Sequence, residues 1–78
     1  MTMATIKLYS LPTWPHCHHA KEFLSQKNLE FTDLDVGEDK TARDEMVALT
    51  NQRGVPVIVI DDKVIIGFDQ QKIEDALP

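Results

Sequence analysis

Apolar positions recur along the chain first with a period of two, then with a period near four, and the alternation between these patterns marks out its elements. "TIKLY", residues 5–9, places Ile6 and Leu8 on one face of a short β-rich run and predicts a first strand. "SLPTWP" breaks it with Pro12 and Pro15. Pro15 suits the first turn of a helix, where its missing N–H is no loss, and Thr13 is placed to cap that end. The predicted helix runs from about Pro15 to Lys27, with Cys17, Ala20 and Phe23 or Leu24 inward and Lys21, Glu22 and Gln26 toward solvent. Asn28 is a suitable stop. "LEFTDLDV" then alternates Leu29 with Phe31 and, after a shift of phase, Leu34 with Val36, which predicts a second strand.

Gly37 and "EDKT" open a second helix whose acidic start complements the helix dipole; Ala42, Met46 and Leu49 or Val47 form its inner stripe, and Asn51 to Gly54 end it. "VPVIVI" is β-branched almost throughout, as expected of a central strand covered on both faces. Asp61-Asp62 is a two-residue turn signal, and "KVIIGF" is the return strand of a hairpin. Asp69 caps a last helix, "QQKIEDAL", with Ile73, Ala76 and Leu77 inward. The order is βαβαββα. A parallel crossover followed by an antiparallel hairpin gives a mixed four-stranded α/β sheet flanked by helices. Pro56 removes a ladder bond, so it belongs at or before the first residue of its strand, and the Val55-Pro56 bond is a candidate cis peptide.

Composition narrows the field. Seventy-eight residues suit one small domain, residues 1–78, with 42% hydrophobic and 27% charged residues as in ordinary globular chains. A net charge of −5 offers phosphates no basic surface, which argues against nucleic-acid binding. No apolar run approaches the ~20 residues of a membrane span, and the N-terminus lacks a basic-then-apolar signal pattern. A single cysteine excludes an internal disulfide framework and points to a reducing, cytoplasmic setting.

That cysteine, Cys17, sits in "PHCHHAK" among the chain's three histidines. It reads as a small buried packing residue, as a working thiol at a helix N-terminus, or as a metal ligand. Consecutive helical residues point roughly 100° apart, so His16, Cys17, His18 and His19 cannot converge on one ion. With no second Cys/His cluster elsewhere, no metal site is expected.

Four stretches taken together resemble the glutaredoxins, the small form of the thioredoxin fold: "KLYSLPTWPHCHHAKEFL", "FTDLDV", "QRGVPVIVID" and "IIGFDQQKIEDAL". They cover nearly the whole chain. The closest pattern is that of the short glutaredoxin-like group, related to the redoxins that donate electrons to ribonucleotide reductase. The resemblance implies a thioredoxin-like βαβαββα fold and a thiol–disulfide oxidoreductase acting in cell redox homeostasis and electron transfer. The family signature is Cys-Pro-x-Cys; here the four positions read Trp14-Pro15-His16-Cys17. Trp14 therefore occupies the nucleophile's position, and Cys17 aligns with the resolving cysteine. As written, the chain is expected to be inactive as a dithiol reductase.

Trp14 has three readings: a degenerate domain whose indole fills the groove, an engineered knockout, or a codon effect. UGA encodes selenocysteine in some settings and tryptophan in some genetic codes, and one base change converts a cysteine codon to tryptophan. A plain UGG codon in the source gene would contradict the selenocysteine reading.

Further roles transfer by position. Val55 and Pro56 match the segment whose backbone pairs with the cysteinyl part of glutathione, Arg53 is placed to meet a carboxylate, and Gly67, Phe68 and Asp69 match the end of the Gly-Gly-x-Asp stretch that receives the γ-glutamyl carboxylate. Ile66 replaces the first of those glycines, and Leu11 stands where many glutaredoxins carry lysine. These departures make a thioredoxin-reductase-type donor more credible beside glutathione. The implied partners are a disulfide-containing protein or a glutathione mixed disulfide, met by a monomer with no resident cofactor and glutathione as co-substrate. The competing class is a non-catalytic thioredoxin-fold binding module for a peptide or glutathione.

Overall fold

The computed structural model describes residues 5–77. Residues 1–4 and 78, which the single-domain reading includes, lie outside them. The elements are β1 (Ile6–Ser10), α1 (Pro15–Gln26), β2 (Thr32–Asp35), α2 (Lys40–Thr50), β3 (Val57–Ile60), β4 (Lys63–Ile66) and α3 (Gln70–Ala76). Their order is the expected βαβαββα.

The four strands form one sheet in the order β2-β1-β3-β4. β1 pairs parallel with β2 and antiparallel with β3, and β3 pairs antiparallel with β4. The β-branched β3 is thus central, as its composition requires, and all but Val59 of its four residues are buried. Pro56 stands immediately before β3, where its missing N–H leaves the ladder intact, and the Val55-Pro56 peptide is cis.

Two apolar clusters hold the layers together. Ile6, Leu8, Ala20, Leu24, Ile58, Ile60, Ile65, Ile73 and Ala76 form the first, joining the sheet to α1 and α3, with Phe23, Leu29, Phe31, Phe68 and Leu77 packed at its margin. Tyr9, Cys17, Val36, Ala42, Met46, Val55 and Val57 form the second, joining the sheet to α2. The alternation of β1 sends Ile6 and Leu8 to one cluster and Tyr9 to the other.

Several local expectations are corrected. Thr13 does not cap α1: the N-cap is Trp14, one residue later, and it makes no side-chain capping bond. The end of α1 is as expected, with Gln26 its last residue, Lys27 its C-cap and Asn28 following at φ 57°, its N–H on the Ser25 carbonyl. α2 begins at Lys40 rather than near Gly37, because the Asp39 carboxylate accepts from the Ala42 N–H and so fixes the helix start. β2 is shorter than "LEFTDLDV": Leu29 and Phe31 precede the ladder and pack on the first cluster from the loop. Of Leu49 and Val47, Leu49 is 51% exposed and Val47 is half-buried, so the inner stripe of α2 is Ala42 and Met46 with Val47 at its margin.

Candidate active site

The site forms where β1 ends and α1 begins. Leu11 to Thr13 turn the chain, the Trp14 N–H donates to the Leu11 carbonyl (3.2 Å), and Pro15 supplies the first helical residue. Trp14, at φ −96° and ψ 124°, is in the extended conformation of an N-cap. Its carbonyl accepts from the N–H groups of Cys17 (3.1 Å) and His18 (3.4 Å). A side chain at position 14 therefore stands at the positive end of the helix, where an anion is favoured. The indole there is 45% exposed, so it does not fill an enclosed groove.

Cys17 lies one turn into α1 and is 1% exposed. Its Sγ accepts from the Leu11 N–H at 3.4 Å. Burial pushes this thiol above its ordinary value near 9.0, the Leu11 N–H and the Lys21 ammonium act downward, and the Asp33 carboxylate acts upward. A buried, mainly protonated thiol three residues behind an exposed N-cap suits a resolving group better than an attacking one. His16, His18 and His19 are exposed. Among the described residues, no group of three or more His, Cys, Asp or Glu is arranged to hold a metal ion.

The segments proposed for substrate contact are brought together in part. Val55 and Pro56 are buried, with Val55 in the same apolar cluster as Cys17. The Gly67 N–H donates to the Pro56 carbonyl at 2.8 Å, tying the end of the hairpin to the cis-proline loop. Gly67 has φ +86°, a conformation a side chain resists, which accounts for glycine there. Phe68 leans on α1, its ring 5.9 Å from Phe23 and 6.1 Å from His19. A shallow depression between them is also lined by Glu22, Gln26 and Gln70. Asp69 caps α3, accepting from the Lys72 N–H at 3.1 Å. Arg53 is exposed on the loop before Gly54.

Sequence reasoning missed the groups that brace these segments. Gln52 brackets Gly54, with Oε1 accepting from its N–H and Nε2 donating to its carbonyl at 3.0 Å, while Thr50 Oγ1 returns to the Met46 carbonyl at 2.7 Å. The cis-proline loop is thereby fastened to the end of α2. Beneath the helix, the Ser10 hydroxyl donates to Asp33 Oδ1 and Lys21 Nζ pairs with Asp33 Oδ2, each at 2.8 Å. The readable signal was Ser10 and Asp33, polar residues at strand positions where the neighbouring pattern is apolar.

A curated relative from Clostridium pasteurianum, described as an uncharacterized glutaredoxin-like 8.6 kDa protein in the rubredoxin operon, is 48% identical over 72 residues, 92% of this chain and 96% of its own. Glutaredoxin 3 of Escherichia coli K12 is 36% identical over 74 residues, 95% of this chain and 89% of its own. The crystal structure of the thioredoxin-like protein BC3987 superimposes with a TM-score of 0.87 at 33% identity, covering 94% of this chain and all of that one. The profile of the Glutaredoxin family matches residues 6–65, which span the strand-to-helix junction, the cis-proline loop and most of the closing hairpin. With that match over the elements that build the site, the chain belongs to the glutaredoxin family.

Proposed function

We propose that this chain is a glutaredoxin-like thiol–disulfide oxidoreductase scaffold in which position 14 is the seat of the attacking group and Cys17 the resolving thiol. Family and fold support thiol–disulfide oxidoreductase chemistry at this level. The observation that carries the finer reading is the contrast between the two positions: an exposed helix N-cap at Trp14 and, three residues on, a thiol enclosed against β1.

With cysteine or selenocysteine at position 14, the thiolate or selenolate would attack one sulfur of a substrate disulfide, and the other sulfur would leave as a thiolate that takes up a proton. The Cys17 thiolate would then attack the atom at position 14, closing a bond between the two positions and expelling the second substrate thiolate. Two electrons pass from the enzyme pair to the substrate. Two glutathione thiols, or the dithiol of a thioredoxin-reductase-type donor, would restore the reduced pair. A protein disulfide or a glutathione mixed disulfide is the proposed substrate, met by a monomer in a reducing cytoplasm. Val55, Pro56, Arg53, Gly67, Phe68 and Asp69 are the residues proposed to receive it.

Tryptophan has no thiol, so the chain as it stands should show negligible dithiol reductase activity. A glutathione-coupled disulfide-reduction assay comparing the chain with Trp14→Cys tests this. A gain of activity in the variant supports a scaffold disabled at one position. Equal turnover in both would refute the assignment of position 14, and lasting inactivity of the variant would favour a binding module for a peptide or glutathione.

A further inference from the structure

Cys17 stands beside a chain of contacts that the exchange chemistry above does not use. Its Sγ accepts from the Leu11 N–H at 3.4 Å. The preceding residue, Ser10, is 1% exposed and donates its hydroxyl to Asp33 Oδ1 at 2.8 Å. The other oxygen of that carboxylate holds Lys21 Nζ, also at 2.8 Å. Lys21 stands four residues after Cys17 on α1, so the two residues share a helix face and the ion pair stands next to the thiol. The contacts run from α1 to the end of β1, across to β2, and back.

Two features separate this ion pair from an ordinary surface one. Ser10 is buried although its side chain is polar, and its hydroxyl proton is committed to Asp33. The side chains of Lys21 and Asp33 are 29% and 41% exposed, so solvent screens each charge only in part, while the Cys17 thiol one helical turn before Lys21 is enclosed.

The other ionisable groups on the elements around Cys17 are engaged elsewhere or exposed. Tyr9 of β1, in the same apolar cluster, has its hydroxyl on Glu45 of α2 (3.1 Å), and Asp35 of β2 accepts from the Gly37 and Glu38 N–H groups. His16 and His18 flank Cys17 on α1 and face solvent.

We propose that Lys21 and Asp33, held in register by Ser10, act on Cys17 as an opposed charge pair that sets how readily this thiol ionises and so how fast it resolves a mixed disulfide. Both are positioning residues: neither touches the reacting atoms, and each acts through the thiol. The ammonium favours the thiolate and the carboxylate opposes it, in the senses already given for Cys17. In the resolving step the Cys17 S–H gives its proton to solvent. Its thiolate then bonds to the sulfur at position 14, the bond from that sulfur to the substrate breaks, and the substrate leaves as a thiolate. The consequence for catalysis rests on the function proposed above; the field on the thiol does not.

One cysteine makes the test direct, because selective ¹³Cβ-cysteine labelling yields a single resonance that reports Cys17 ionisation in the chain as it exists. Titration should move the midpoint upward in Lys21→Met and downward in Asp33→Asn, with the double variant between them. The matching change in iodoacetamide alkylation rate at neutral pH is on the order of threefold, slower in the first and faster in the second. Loosened packing alone would admit water to Cys17 and move both midpoints down together. Shifts of the same sign, or none, would therefore overturn the proposal. Lys21→Arg keeps the charge and should hold the parent midpoint; a shift matching that of Lys21→Met would also overturn it. The titration needs no turnover, so its failure is distinguishable from failure of Trp14→Cys to gain reductase activity.

Discussion

The face of the sheet under α1 and α3 is aliphatic throughout its buried cluster, with Leu8, Ala20, Leu24, Ile58, Ile60 and Ile73 all fully buried. The face under α2 is covered by one helix, carries the Tyr9 hydroxyl and the Cys17 thiol among its buried groups, and leaves Leu49, Val64 and Ile66 exposed. Val64 and Ile66 pair with Val59 and Val57, which places them on that same face at the β4 edge. The difference separates two kinds of face. Two helices close one side into a hydrocarbon layer with the Ser10–Asp33–Lys21 contacts at its edge, whereas the thinner side holds the Tyr9 hydroxyl and the Cys17 thiol and ends at Trp14, Cys17 and the cis-proline loop.

The largest effect that would break this comparison is in the two-helix layer. Leu24→Ala should cost about 2–5 kcal/mol by urea denaturation, whereas Leu49→Ala on the α2 side should stay within about 0.5 kcal/mol. Similar costs for the two would mean that α2 closes its face more fully than the exposure of Leu49 indicates.

A smaller effect concerns the polar groups of the α2 face. Burial raises the Tyr9 phenol above its ordinary 10.0, with the Glu45 hydrogen bond and charge adding to it, and burial likewise raises the Cys17 thiol above 9.0. The folded chain thus holds both protons more tightly than the unfolded chain. Their stabilisation is complete below about pH 9 and is lost as pH rises through the folded-state values. Urea midpoints measured from about pH 8 to 11 should fall on the alkaline side, with the steeper loss beginning above the ordinary tyrosine value. Tyr9→Phe should cost about 1 kcal/mol at neutral pH and flatten that alkaline limb. An unchanged limb would remove Tyr9 from the account.

What could be read from the sequence follows the same division. Element order, the central position of β3, the inward residues of α1 and the cis bond at Val55-Pro56 were legible, because period and proline chemistry act over a few residues. Leu49 and Val47 stayed alternatives because helical spacing marks a stripe without saying how far the sheet extends beneath it, and of the two Val47 is the half-buried one. Thr13 failed as a cap because a one-residue difference in where α1 starts depends on the turn closed by the Trp14 N–H and the Leu11 carbonyl. Within the site, Trp14, Cys17 and Pro56 stood out by their motif. The Ser10–Asp33–Lys21 contacts and the Gln52 brace did not, since each joins residues whose proximity arises only after strands pair and the loop folds back.

The central claim, that position 14 seats the attacking group and Cys17 resolves, is tested most directly by mass spectrometry of the protein after exposure to oxidised glutathione. Trp14→Cys should form an internal disulfide between positions 14 and 17. Trp14→Cys combined with Cys17→Ser should instead retain one glutathione, mapped to position 14. A glutathione adduct on Cys17, with position 14 left free, would contradict the account.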